Sequence, residues 1–159
     1  MDNQQITDTS KIVLFSLDEP RYALYLSAVE RVIHAVEITP LPKAPDKVFG
    51  VINFQGDIIP VMDIRKLFRL PTHDLSIHDQ IIIARTSARL VGLVVDSVNG
   101  ISEITENQIT HTEKTLAFSD YLSGVTVFEN SIILITDLEK FLSLDEQKIL
   151  DKVLKKDTT

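Results

Sequence analysis

One 19-residue segment of this chain recurs in related form, and this internal repeat limits the possible folds more than any other feature. GVINFQGDIIPVMDIRKLF begins at Gly50, and GVTVFENSIILITDLEKFL begins at Gly124. Both copies have a Gly-Val start, a polar turn, an apolar run, an aspartate and two large apolar residues, aligned without a gap. Residues 12–26 and 81–95 also align without a gap, at an offset of 69. Because each copy exceeds the length of a solenoid repeat, the repeat predicts two similar β units.

Short apolar runs rich in valine and isoleucine follow one another along both units, which is typical of β-strands. Polar links such as 18–21 and 86–89 join them and are too short for a crossover helix, so the pairing should be mainly antiparallel. Several runs are apolar at consecutive positions, which indicates strands covered on both faces. The pattern predicts an all-β architecture in which a small barrel packs against its twin.

Helix signals are few. The sequence SAVE at 27–30 has the form of a capping box and predicts a short helical turn after Leu26. Asp63 and Asp137 are each placed to cap one further turn through backbone amides. A longer helix should begin at Ser143 and lie against a barrel. Its predicted apolar stripe consists of Ile149, Leu150, Val153 and Leu154.

Composition excludes several classes of function. With 159 residues, 44% of them hydrophobic, the chain is predicted to be one globular protein with a substantial core. Its net charge of -7 argues against binding to nucleic acid. The N-terminal sequence has no signal-peptide pattern, no apolar run is long enough to span a bilayer, and there is no cysteine. A cytoplasmic protein without membrane insertion is therefore expected.

The sequence offers no converging set of catalytic or metal-binding residues. Asp63, Asp96 and Asp137 each follow a strand and precede a turn, where capping is the commonest use of aspartate. The histidines are scattered, and a metal site needs three or four converging ligands. They are His34, His73, His78 and His111. We therefore predict no enzyme activity, no cofactor and no metal.

Four further residues of the first repeat have mainly structural interpretations. Gly56 should supply a positive φ in a turn, Asn53 can bond nearby backbone, and Gly50 allows close backbone approach. Pro60 interrupts an apolar strand and cannot donate a ladder hydrogen bond, so it should lie at an edge or a bulge.

Residues 50–64, GVINFQGDIIPVMDI, closely resemble the GVxNLRGxxxPxxDL signature of CheW-type chemotaxis coupling proteins. LYLSAVERV, ITPLP, VGLVVDSV, ITENQI and YLSG also resemble that family, in the same order, so the resemblance covers roughly residues 11–154. It implies one CheW-like domain of two five-stranded, SH3-like barrels, approximately 11–78 and 79–144, with a C-terminal helix at 144–156. Residues 1–10 and 157–159 are expected to be flexible ends.

The resemblance further implies a non-enzymatic adaptor that couples chemoreceptor signalling tips to a CheA-type histidine kinase, recruited to membrane-associated arrays. The kinase's regulatory domain would pack against it barrel end to barrel end, through residues that the resemblance does not identify. The receptor would dock in a groove between the barrels. By motif position, that groove would include Val29, Arg31, Gln55 and Ile101.

One departure from the family pattern bears on the partner. The family usually has Leu-Arg where this chain has Phe54 and Gln55, and glutamine keeps only a neutral amide. Two alternatives to the leading hypothesis stay open, and only the first of them follows from this departure. One is an adaptor for a pilus-type or other non-flagellar array. The other is an all-β hydrolase or small-molecule binder that uses Asp63, Asp96 or Asp137 in the cleft between the barrels.

Overall fold

The computed structural model describes residues 9–18, 21–71, 74–111 and 121–155, mostly in β-strands. The strands are β1 (Thr9–Ser16), β2 (Arg21–Tyr25), β3 (Val29–His34), β4 (Val48–Phe54), β5 (Asp57–Met62), β6 (Gln80–Arg85), β7 (Leu90–Val95), β8 (Ser97–Thr105), β9 (Thr110–His111), β10 (Leu122–Phe128) and β11 (Ser131–Thr136). The α-helices are α1 (Ile64–Leu67) and α2 (Leu144–Lys155). Three-residue 3-10 turns lie at Leu26–Ala28, Glu106–Gln108 and Leu138–Lys140. Of the ends expected to be flexible, residues 9 and 10 belong to β1, whereas 1–8 and 157–159 lie outside the described residues.

The strands form two sheets, and each sheet takes strands from both copies of the repeat. The six-stranded sheet has the order β8-β1-β2-β11-β10-β9, and the five-stranded sheet has the order β3-β6-β7-β5-β4. The first hairpin of each copy therefore pairs with the later strands of the other copy. The predicted division at residue 78 describes the repeat in the sequence, whereas the hydrogen-bonded sheets cross it. The all-β prediction is confirmed.

Hydrogen-bond registers follow the repeat residue by residue. β2 runs parallel to β11, with Ala23 opposite Ile135, and β7 runs parallel to β5, with Gly92 opposite Val61. These two pairs are equivalent under the offsets of 69 and 74 residues. The bulge that separates Val29 from Arg31 on β3 has its equivalent on β8, opposite the Leu14/Phe15 step of β1. The molecule therefore has an internal pseudo-twofold arrangement, in which most strand pairs are antiparallel as predicted and these two are parallel.

The core has three parts. One apolar cluster lies on the six-stranded sheet, a second lies on the five-stranded sheet, and a third contains residues of both. On β6 the side chains alternate: Ile81 and Ile83 pack within their own barrel, whereas Ile82 and Ala84 pack in the shared core. This alternation explains the consecutive apolar residues that the sequence shows, because such a strand is covered on both faces.

Helix α2 begins where the sequence predicted and is fastened at its N-terminus. Ser143 Oγ accepts from the Glu146 backbone N–H at 3.1 Å, and Glu146 accepts from the Ser143 N–H at 2.8 Å. Lys47 Nζ lies 3.2 Å from Glu146 Oε1, which ties the segment before β4 to the helix. Leu150 is fully buried, but Ile149 is 40% exposed. The prediction that Ile149 belongs to the buried apolar stripe is therefore wrong.

Two local expectations were wrong for tertiary reasons. A helical turn does follow Tyr25, but 27–30 forms no capping box, because Val29 pairs with Ala84 in a strand. Pro60 lies on β5, between β7 and β4, so it is not on an edge strand, and the bulge of β4 lies opposite the neighbouring Val61 and Met62 and not opposite Pro60. Its partner Val51 uses its own N–H and C=O for Thr39, so the nitrogen of Pro60 points away from β4. The pairing with β7 comprises Val61 and Met62, and the missing donor is therefore tolerated.

Candidate partner-binding surfaces

Two of the residues predicted for the receptor groove lie at one end of the five-stranded barrel. Arg31 is exposed on β3, immediately after its bulge, and its guanidinium carbon lies 5.8 Å from the centre of the Phe54 ring. Such a distance is typical of a cation–π contact. Phe54 directly precedes Gln55 in the β4–β5 turn. The structure therefore brings Arg31 and the turn of Gln55 together.

The turn that carries Gln55 is held in a defined shape. Gln55 and Gly56 both have positive φ, 51° and 89°, which is the geometry of a two-residue type I′ hairpin turn. Asn53 Oδ1 accepts from the Gly56 N–H at 3.0 Å. The side chain of Gln55 is exposed at the tip. A partner would meet it in a preformed position, with little loss of backbone entropy.

Val29 and Ile101 occupy different environments. Val29 is partly buried at the start of β3 and packs against the shared core. Ile101 is 60% exposed on β8, which is the edge strand of the other sheet, opposite Val13. The structure thus gives Val29 a packing role and presents Ile101 to solvent on the second barrel.

Gly50 and Asp63 have structural surroundings. A Cβ atom at Gly50 would lie 2.2 Å from the carbonyl oxygen of Thr39, so only glycine allows the two backbones to approach there. Asp63 is buried and precedes α1, but its side chain makes no capping hydrogen bond to that helix, so the predicted cap at Asp63 is wrong. At the equivalent position, Asp137 Oδ1 does accept from the Glu139 N–H at 3.1 Å.

The three aspartates considered for catalysis do not meet in one pocket. Asp96 bonds Arg65 and accepts from the Asp18 backbone N–H at 2.8 Å. Asp63 and Asp137 line different clefts. The geometry therefore gives the hydrolase alternative no carboxylate pair. His73 lies outside the described residues, and within the described ranges no group of three or more histidine, aspartate or glutamate side chains could hold a metal ion.

An exposed apolar pair on the β10–β11 hairpin was not identified from the sequence. Val127 and Ile132 are cross-strand partners and are 66% and 62% exposed. The consecutive apolar residues had indicated strands covered on both faces, which is wrong at this end of the hairpin. The repeat contains a usable signal, because the position equivalent to Val127 holds the polar, exposed Asn53. Exposed apolar side chains that adjoin one another commonly mark a protein-binding surface.

Comparison with known proteins identifies close relatives of this chain. Residues 11–146 match the family model of the CheW-like domain. The chain is 35% identical over 132 residues to "Chemotaxis protein CheW" of Thermotoga maritima, covering 83% of this chain and 87% of that protein. It is 28% identical over 148 residues to the protein of the same name from Klebsiella aerogenes, covering 91% and 89%.

A solved structure shows the same fold. The crystal structure of the scaffolding protein TtCheW from Thermoanaerobacter tengcongensis superposes with a TM-score of 0.79 at 31% sequence identity. The match covers 87% of this chain and 96% of that one. Among the described residues, no helix is long and apolar enough to cross a membrane.

Proposed function

This chain belongs to the CheW-like family, and from this premise we propose that it links a chemoreceptor's cytoplasmic tip to the regulatory domain of a CheA-type kinase. Members of the family are chemotaxis coupling adaptors that connect receptors to the CheA kinase, and they are scaffold proteins and not enzymes. The family match over 11–146 is the observation that carries the proposal. By holding both partners at once, the adaptor would raise their effective concentration for each other. Its contact with the receptor would recruit it to membrane-associated arrays.

The receptor-facing surface would contain Arg31, Gln55 and Ile101, with Val29 behind it in the shared core. Support comes from the exposure of the first three side chains and from the contact between Arg31 and Phe54. In this chain the positive charge of the surface resides on Arg31, since the turn residue is a neutral glutamine. We therefore expect Arg31 to face an acidic group of the receptor.

Substitution of Arg31 and Gln55 tests this assignment. Arg31→Ala should weaken binding to soluble receptor signalling fragments by about 10- to 150-fold, since a charged hydrogen bond contributes roughly 1.5–3 kcal/mol. Thermal unfolding should be nearly unchanged, because the side chain is exposed. Gln55→Arg should increase affinity for tips of flagellar-type receptors, and tips from pilus-type arrays provide the comparison. Unchanged receptor affinity in both variants would refute this surface.

The kinase-facing surface would be the end of the six-stranded barrel at Val127 and Ile132. Two exposed apolar side chains on adjacent strands can bury against the end of another barrel, each contributing up to about 1.5–3 kcal/mol. The equivalent end of the other barrel presents Asn53 and Ile58 and is more polar. This difference favours the β10–β11 hairpin as the kinase-binding end.

Calorimetry with the isolated regulatory domain of a CheA-type kinase tests the second contact. We expect binding at micromolar concentration and a loss of at least tenfold in affinity for Val127→Ser with Ile132→Ser. Ile58→Ser on the other barrel is the control and should bind as the native protein does. No binding of the native protein at tens of micromolar would refute kinase coupling. Equal losses from both barrels would refute the choice of surface.

A further inference from the structure

Arg65 is buried between the two barrels and is held by two carboxylates. Its side chain extends from α1, which follows β5 of the five-stranded sheet, and only 5% of the residue is exposed. Nη1 lies 3.0 Å from Asp18 Oδ2 in the turn between β1 and β2, and Nη2 bonds Asp96 between β7 and β8. Arg65, Asp18 and Asp96 therefore form a binding site for the arginine side chain, the first seat, at the interface of the two barrels, the seam. Arg65 joins elements of both sheets there.

The repeat creates a second seat of the same kind, in which the residues differ. The residues equivalent to Arg65, Asp18 and Asp96 are Glu139, Ser87 and Ser27. Glu139 accepts from both the backbone N–H and the hydroxyl of Ser87, each at 2.8 Å. The helical turn and the hairpin turn thus remain joined, but the cation that fills the first seat has no counterpart here.

The second seat is an open cleft of about 220 Å³ between the barrels. Leu24, Ala28 and Leu138 supply apolar wall, and Ser27, Asp137 and Glu139 supply polar groups. Arg85 also borders the cleft, but its Nε lies 4.0 Å from Glu30 Oε2 on β3 and its side chain is 57% exposed. Asp137, Glu139 and Glu30 outnumber the cations Arg85 and Lys140, so the cleft and its rim carry an excess of negative charge.

We propose that this cleft is a docking seat for an arginine side chain of a partner protein. The first seat shows how the interface between the barrels holds an arginine: the aliphatic stem lies within the interface and the guanidinium lies between two carboxylates. In the open seat, the stem would lie on the apolar wall and the guanidinium would donate to Asp137 and Glu139. Arginine suits this arrangement better than lysine, because its planar fork can bond two acceptors at once.

Both carboxylates retain accepting capacity for such a ligand. Asp137 accepts from the Glu139 N–H and lies 3.7 Å from Lys140 Nζ, and Glu139 accepts twice from Ser87. Each carboxylate has about four lone-pair sites, so neither is saturated by these contacts. The seat is distinct from the surface around Arg31 and from the exposed pair on β10–β11, so it adds a contact beyond those of the proposed function.

An NMR titration tests the proposal with the intact protein. The probe is N-acetyl-arginine methylamide added to the ¹⁵N-labelled chain, with the lysine analogue as comparison. We expect saturable shifts of the Ser27, Ser87 and Glu139 amides at millimolar concentration, in the range for a single side chain. The lysine analogue should bind more weakly. Absence of saturable shifts at these amides, or equal binding of the two analogues, would overturn the proposal.

Rebuilding the arginine clamp in the open seat supplies the decisive variant. Ser27→Asp, Ser87→Asp and Glu139→Arg together reproduce the residues of the first seat, and the internal arginine should exclude the probe. Binding should then fall at least tenfold. The two added aspartates offset the change from glutamate to arginine, so the triple variant keeps the native net charge. Glu37→Arg makes the charge change of Glu139→Arg on an exposed loop and should leave binding unchanged.

A single substitution provides a test that does not depend on the folding of the triple variant. Glu139→Gln alone should reduce probe binding several-fold while the protein remains folded by circular dichroism. If Glu139→Gln or the triple variant binds the probe as the native protein does, the cleft is not the seat.

Discussion

Because Arg65 is buried, the loss of one of its carboxylate partners should lower the free energy of unfolding substantially. Breaking a buried ion pair from one side costs about 3–5 kcal/mol, because it leaves a desolvated charge. Asp96→Asn removes one partner of Arg65, but Asp18 remains, and the side chain of Asp96 is 32% exposed. We therefore expect a loss of about 2–3 kcal/mol in the free energy of unfolding. For a chain of this size, that loss corresponds to a fall in Tm of about 4–12 °C.

The double variant distinguishes a charge effect from a simple loss of packing. Arg65→Met with Asp96→Asn removes both charges and keeps an apolar stem in the seat, so it should be more stable than Asp96→Asn alone. Urea unfolding of the native protein, Arg65→Met, Asp96→Asn and the double variant gives the coupling energy between the two side chains. Glu129→Gln is the control, because its pair with Arg21 is exposed and should contribute less than about 1 kcal/mol. Additive effects, or equal losses from Asp96→Asn and Glu129→Gln, would refute the reasoning.

Three further predictions concern other parts of the fold. The hydrogen bond to Glu106 raises the pKa of exposed His111, so this contact is present below the histidine's ordinary pKa and is lost as pH rises through the raised value. Glu106→Gln should lower the pKa of His111 in an NMR titration, and an unchanged value would contradict the assignment. Gly50→Ala should destabilise by about 1–3 kcal/mol or more, because its Cβ would overlap the Thr39 carbonyl oxygen, and an unchanged Tm would refute that clash. A fragment of residues 1–78 should not unfold cooperatively alone, because β1 and β2 pair with β8 and β11, and mixing with 79–159 should restore folding. Independent folding of 1–78 would contradict the exchanged sheets.

The positions of most elements could be predicted because their signals are local. β4 and β10 begin 74 residues apart, as do β5 and β11, which is the offset of the two repeat segments in the sequence. Apolar runs and short polar turns determine such elements independently of the rest of the chain. The start of α2 at Ser143 was predicted for the same reason, because the hydrogen bonds between Ser143 and Glu146 that cap the helix lie within four residues.

The exchange of hairpins between the copies could not be predicted from local patterns. The hairpin of β1 and β2 has the same apolar character as that of β6 and β7, so either could complete either barrel. The choice depends on long-range pairing, which sequence periodicity does not encode. The same limitation explains the failed capping box at 27–30, where β3 needs Val29 for its pairing with β6.

The candidate sites depend on contacts between segments that are distant in the sequence. Arg31 was identified by motif position, but its contact with Phe54 arises from closure of the barrel and has no sequence signal. The exposure of Val127 and Ile132 was missed because an apolar residue at the end of a strand has the same appearance as a core residue. Comparing each position with its repeat equivalent would have separated the two cases.

Comparing equivalent positions of the two copies therefore helps to separate residues that maintain the fold from residues that contact partners. A pseudo-twofold fold presents each surface twice, so binding two different partners requires the copies to differ where those surfaces lie. Asp63 and Asp137 remain alike beside the core. Three of the pairs that differ in charge or polarity lie at the seam or at exposed ends, namely Arg65 and Glu139, Asn53 and Val127, and Arg31 and Gly100. The divergence of each pair is consistent with partner contacts at one copy only, and this is why the proposed surfaces coincide with these positions.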